Sequence, residues 1–146
     1  MKELTKAEEQ IMQILWKLDE AFVKEIIDKL PNPKPAYNTV STIVRILEKK
    51  GFVAHTAFGK SPRYFPLVKK EDYTKVQMKS FVNNYFSNSC ESMVSFFAKE
   101  QSISINEMEE IMKVMEKEIQ KQKGDWNMNE FGVFLYESGI SLSVLY

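Results

Sequence analysis

Five side chains within "YNTVSTIVRILEKK", residues 37–50, could do chemistry that packing does not explain: Asn38, Ser41, Thr42, Arg45 and Lys49. On a helical wheel they share one arc, opposite Val40, Ile43, Val44 and Leu47, which themselves span an arc of about 100°. Short hydrogen-bonding groups lead the polar arc and long cations end it. Small polar side chains suit the donors and acceptors of base edges, and Lys and Arg suit the flanking phosphates. A helix face that is merely solvated favours Glu/Lys pairs. Here Asn38, Thr39, Ser41 and Thr42 are instead poor helix formers.

The segment that follows adds charge to this face. "FVAHTAF" reads as a strand, "GKSP" as a turn and "RYFPL" as a return strand ending near Pro66, with Lys60 and Arg63 at the tip. Residues 31–68 carry six basic side chains (Lys34, Arg45, Lys49, Lys50, Lys60, Arg63) against one acid, Glu48. The formal net charge of zero therefore hides an asymmetry. Residues 1–68 hold eleven Lys+Arg against eight Asp+Glu, and residues 69–146 hold nine against twelve. A compact basic segment in a neutral chain can attract phosphate backbones. A solvated surface that happens to be basic would produce the same charge count.

Positioning such a face requires elements before and after it. Thr5 and Glu8 form a capping box, and the helix it opens carries Leu4, Ala7, Ile11, Ile14, Leu15 and Leu18 on one stripe. "DEA" starts a second helix running through Leu30, with Val23, Ile26, Ile27 and Leu30 inward, and Pro31, Pro33 and Pro35 stop it. The third helix runs from about Tyr37 to Lys50 and ends at Gly51. A two-stranded hairpin is marginal alone and must lean on these helices. The order helix, helix, helix, hairpin is that of a winged helix-turn-helix, whose third helix enters the major groove while the wing touches backbone. The fold class is therefore mainly α.

Other chemistries find little support. One histidine and one cysteine are too few for a structural zinc site, and His55 and Cys90 fall in segments read as different modules, so they make no nucleophile–base pair. His55 reads as a half-buried strand residue and Cys90 as a small buried hydrophobe. No carboxylate spacing singles out a catalytic pair, and no cofactor or metal is expected. A single cysteine fits a reducing, cytoplasmic setting. The charged start "MKELTKAEEQ" is unlike a secretory signal, and no apolar run approaches the roughly 18 residues of a membrane span.

After residue 68 the pattern becomes purely helical. Met78, Phe81, Val82 and Tyr85 form one stripe; Cys90, Met93, Val94 and Phe97 a second; Met108, Ile111, Met112, Met115 and Ile119 a third, after a capping box at Ser104–Glu107. Three short Met- and Phe-rich helices have little material for a core of their own, so a second copy related by a two-fold axis is the expected cover. This divides the chain into a winged helix-turn-helix at 1–68, helical dimerisation at 69–123 and a tail at 124–146. The tail carries three glycines and five aromatics and ends in a weakly alternating "ISLSVLY". It fits an edge strand, a groove cover or a disordered segment equally.

The chain resembles the penicillinase-repressor family of bacterial transcription regulators. The resemblance rests on "LTKAEEQIMQILW", "YNTVSTIVRILEKKGFVAH", "RYFPLV" and "MVSFFAKE", and spans about residues 3–120. It implies a homodimer with N-terminal winged helices and an intertwined helical dimerisation domain, using side chains such as Phe81, Met93, Phe97, Ile111 and Met115. It implies repression at palindromic double-stranded operators, often of β-lactam-resistance genes. The third-helix contacts map onto Asn38, Thr39, Ser41, Thr42 and Arg45, and the wing contacts onto Lys60, Ser61, Arg63 and Tyr64. Family repressors are inactivated by cleavage at an Asn–Phe bond, through a protease linked to a membrane sensor. Here that bond aligns with Phe96–Phe97, so Phe stands where the family has Asn. Copper-responsive relatives bind metal through several C-terminal cysteines, which a chain with one cysteine lacks. A winged fold serving only protein interaction remains the alternative.

Overall fold

The computed structural model describes the backbone of residues 1–138 and the side chains of residues 1–124. It divides into two compact units, the first Met1–Asn88 and the second beginning at Ser89. In the first, α1 (Lys6–Leu18), α2 (Val23–Lys29) and α3 (Tyr37–Lys49) surround a small antiparallel sheet of β1 (Ala21–Phe22), β2 (Val53–Phe58) and β3 (Ser61–Pro66). This is the mainly helical winged helix-turn-helix expected from the element order. The capping box at α1 is present: the Glu8 amide donates to Thr5 Oγ1 at 3.3 Å and the Thr5 amide to Glu8 Oε2 at 3.0 Å.

Three expectations are corrected. The second helix does not start at "DEA" but at Val23, because Ala21 and Phe22 are drawn into the sheet as a third strand. The sheet order is β1-β3-β2, with Ala21 opposite Tyr64 and Phe22 opposite Arg63, so the wing has three strands rather than two. The hairpin turn is Gly59–Lys60 alone, since Ser61 and Pro62 already pair with Phe58 and Ala57. Gly59 takes φ +59° while Lys60 does not reach positive φ. That is the pattern of a two-residue turn with glycine first, whose twist matches the strands.

The core joins all of these elements. Ile11, Met12 and Leu15 from α1, Ile26 from α2, Val40, Val44 and Leu47 from α3, and Phe52 are at most 2% exposed. Met12 takes a core place that the predicted stripe gave to Ala7, which is exposed. Gly51 (φ +82°) ends α3 and turns the chain so that Phe52 enters the core at once.

The helix after the wing, α4 (Lys70–Phe86), is tied to this core at its first turn. Tyr73 is buried, its ring centroid 5.7 Å from Trp16 and 5.9 Å from Phe52. Trp16 Nε1 donates to the Val68 carbonyl at 2.8 Å. The first compact unit therefore reaches past residue 68. Burial pushes the Tyr73 phenol above its usual value, so the core holds it neutral.

The second unit contains α5 (Cys90–Lys99) and α6 (Ile105–Ser138). Its last helix has the Ser104–Glu107 capping box, with amide-to-side-chain distances of 2.8 and 3.2 Å. It runs on through Gly124 to Ser138, so most of the predicted tail continues a helix rather than forming a strand. "ISLSVLY" lies outside the described residues. No side chain of α5, and none of the described ones of α6, is buried. Cys90 is exposed, against the expectation of a buried hydrophobe. No helix among the described residues is long and apolar enough to cross a membrane.

Candidate nucleic-acid interface

The third helix presents its polar arc much as its sequence suggests. Asn38, Thr39, Thr42, Arg45 and Lys49 are exposed, while Val40, Val44 and Leu47 point inward. The Thr42 hydroxyl donates to the Asn38 carbonyl one turn back at 2.8 Å, which leaves its oxygen lone pairs as acceptors toward solvent. Ser41 is the exception. It is 9% exposed, at the edge of the polar arc, and α3 also packs against β2 of the sheet.

That sheet contact is built from a cluster that the sequence did not reveal. Glu48 pairs with His55 Nδ1 at 2.6 Å, and the His55 ring lies 5.5 Å from Tyr64. Burial and then the Glu48 charge push the Tyr64 phenol upward, against the opposing pull of Arg45. The ring is 3% exposed, so it supports the wing rather than lying on its surface. His55, expected half-buried, is exposed at the rim of this cluster.

The six basic residues of 31–68 separate into two groups. Lys34 Nζ donates to the Asp28 carbonyl at 2.9 Å and to the Leu30 carbonyl, satisfying the open C-terminal end of α2. Lys50 pairs with the buried Glu8 at 2.7 Å, tying the end of α3 to the start of α1. Burial would raise the Glu8 carboxyl, but the Lys50 ammonium and the Thr5 donors outweigh it and hold the group below its usual value.

Arg63 is not at the wing tip as expected, but in mid-strand opposite Thr56 and Phe22. It pairs with Glu20 at 3.1 Å, and its guanidinium lies 5.6 Å from the Phe22 ring and 5.7 Å from Phe58. Arg45, Lys49 and Lys60 remain exposed, with no carboxylate partner within ion-pair distance among the described residues. Lys60 and Ser61 hold the exposed end of the hairpin. A basic count cannot distinguish cations spent inside the fold from those left outside it, which is why only three of six remain.

The helices of the second unit display their apolar side chains outward. Phe97 is 37% exposed, Ile111 45% and Met115 57%, and Met93 is half-buried. Phe96 packs edge-on against Phe97, with centroids 6.0 Å apart. In α4 of the first unit, Phe81 is likewise 39% exposed.

Comparison with known proteins matches residues 4–117 to the family described as penicillinase repressor. The penicillinase repressor of Bacillus licheniformis is 27% identical over 122 residues, covering 83% of this chain and 95% of that protein. The methicillin resistance regulatory protein MecI of Staphylococcus aureus (strain N315) is 28% identical over 116 residues, covering 79% and 94%. Among solved structures, the DNA binding domain of the repressor BlaI aligns at 28% identity over 50% of this chain and 94% of that one, with a TM-score of 0.43.

Proposed function

Because this chain belongs to the penicillinase repressor family, we propose that it is a dimeric transcriptional repressor that binds a palindromic DNA operator. The observation that carries the reading is the set of three exposed cations, Arg45, Lys49 and Lys60, which have no carboxylate partner among the described residues and flank the hydrogen-bonding groups of Asn38, Thr39 and Thr42. In this reading α3 enters the major groove, Asn38, Thr39 and Thr42 meet base edges, and Arg45, Lys49, Lys60 and Ser61 meet phosphates. Tyr64 is buried beneath the wing, Arg63 is held within the sheet by Glu20, Phe22 and Phe58, and Ser41 is buried, so in this reading none of the three reaches DNA. The genes controlled would be of the β-lactam-resistance type, by analogy with the named relatives.

Dimerisation through the exposed apolar faces of α5 and α6 would place two readers about 34–36 Å apart, one turn of DNA. Joining them raises affinity by about 10² to 10⁴ over one module alone. Cleavage at Phe96–Phe97, within α5, would relieve repression by removing that link. In a dissociated chain α5 has no buried side chain, so it can open locally to admit a protease.

The test is direct. Three available cations per protomer give a dimer a slope of about −5 for log affinity against log salt. Arg45→Ala and Lys60→Ala should each weaken retention on promoter DNA and flatten that slope by about two, with the dimer intact by sedimentation. Unchanged retention of both variants would favour the alternative, a winged module for protein interaction.

A further inference from the structure

Packing leaves one feature beside this interface unexplained. An open groove of about 480 Å³ lies between the first turn of α3, the start of α2 and the wing, and Lys24, Glu25, Tyr37, Phe58 and Ser61 line it. Tyr37 is 45% exposed and Phe58 51%, large aromatics left in water on either wall. The groove is continuous with the proposed reading surface on both sides, since Tyr37 precedes Asn38 and Ser61 follows Lys60. Its acid is already engaged: Glu25 accepts the Phe22 amide at 3.0 Å. Beside it, Tyr37, Ser61 and Lys24 bring donor-bearing side chains to the lining.

We propose that this groove holds one sugar-phosphate strand of the operator, with Tyr37, Ser61 and Lys24 bonding a single phosphate and Phe58 packing against the adjoining deoxyribose. The inference rests on the DNA-binding reading and adds to it a site on the strand between the helix and the wing. An anionic strand fits because three donor-bearing side chains line the groove and the one lining carboxylate, Glu25, has an oxygen drawn to the Phe22 amide. A strand also fits the shape, since a helix in the major groove and a wing on the backbone leave one strand running between them. Arg63 shapes the wall from behind, held between Phe22 and Phe58, and Ser61 stays on the rim through its pairing with Phe58.

The experiment couples a protein change to a DNA change. Promoter fragments recovered by genome-wide mapping of bound sites are prepared with a neutral methylphosphonate at one phosphate position at a time, and titrated with full-length wild type, Tyr37→Phe and Arg45→Ala. Tyr37→Phe keeps the ring and loses only the hydroxyl. On unmodified DNA the dimer should bind about a hundredfold more weakly, since each protomer loses one hydrogen bond to a charged group worth about tenfold. At one phosphate position per half-site a single methylphosphonate should weaken wild type about tenfold and Tyr37→Phe hardly at all. Equal losses by the two proteins at every position overturn the groove proposal. Arg45→Ala separates the two claims: if it binds as tightly as wild type, the DNA-binding reading fails as well. If it is weakened while Tyr37→Phe shows no coupling, the groove proposal alone fails.

Discussion

Residues 6–49 and residues 90–124 are both mostly helical and both carry apolar side chains at three-and-four spacing, yet the two stretches treat those side chains oppositely. In the first, Ile11, Met12, Leu15, Ile26, Val44 and Leu47 disappear from solvent. In the second, Ile111, Met112, Val114, Met115 and Ile119 stand 45–65% exposed along one helix. The spacing is alike and the environment is not. Three helices joined by tight connections to a sheet have enough walls to enclose a core, whereas the described side chains of α5 and α6 do not enclose one. Covering those five side chains would release on the order of 5 kcal/mol or more, the scale on which a second copy of the chain is held. The first unit thus encloses a core within one chain, while the described apolar side chains of the second stay exposed, as the proposed dimer requires.

The largest effect expected from this contrast is on the core. Phe52→Ala, removing a ring that is 1% exposed and meets Tyr73 edge-on, should cost about 3–5 kcal/mol of unfolding free energy at any protein concentration. Met115→Ala should differ in kind rather than merely in size. Its cost, about 2 kcal/mol if the side chain is buried in a dimer, should shrink as the protein is diluted, whereas a concentration-independent cost would place Met115 in an intrachain contact. Chemical denaturation at several concentrations reads both.

A smaller effect concerns how the reading helix is anchored. The carboxyl of Glu8 is held below its usual value of 4.5 in the folded chain. Its pairing with Lys50 therefore stabilises the fold above the ordinary carboxylate range and is lost as pH falls through the depressed value. Glu8→Gln should cost on the order of 1 kcal/mol near neutrality and should reduce the acid-induced drop in melting temperature. An identical drop in wild type and variant would mean that other carboxylates carry it.

Much of the first unit could be read from residue order. The capping box at Thr5, the proline stop after Leu30, the inward arc of α3 and the glycine at its end are local signals, and local rules decide them. What escaped were the non-local pairings. Nothing in "DEAF" announces that Ala21 and Phe22 will join β3, because a two-residue strand has no periodicity to detect. Ser41 stands at the edge of the polar arc, and nothing in its spacing marks it as the one that is buried. Arg63, Lys34 and Lys50 each counted as available charge until Glu20, the α2 carbonyls and Glu8 came within reach. In the second unit the stripes were readable, but the length of α6 was not, since Gly124 and the mixed residues beyond it look like a break and are carried inside a helix.

The central claim is that the exposed helical faces exist to join two DNA readers, and it is tested by one titration of a palindromic operator with wild type and Phe97→Asp. Phe97 is in the second unit, away from the reading helix in sequence, so the substitution leaves every proposed DNA contact in place. The account predicts a monomer by sedimentation and an operator affinity lower by about 10² to 10⁴. A variant that stays dimeric, or that binds the operator as tightly as wild type, would contradict it.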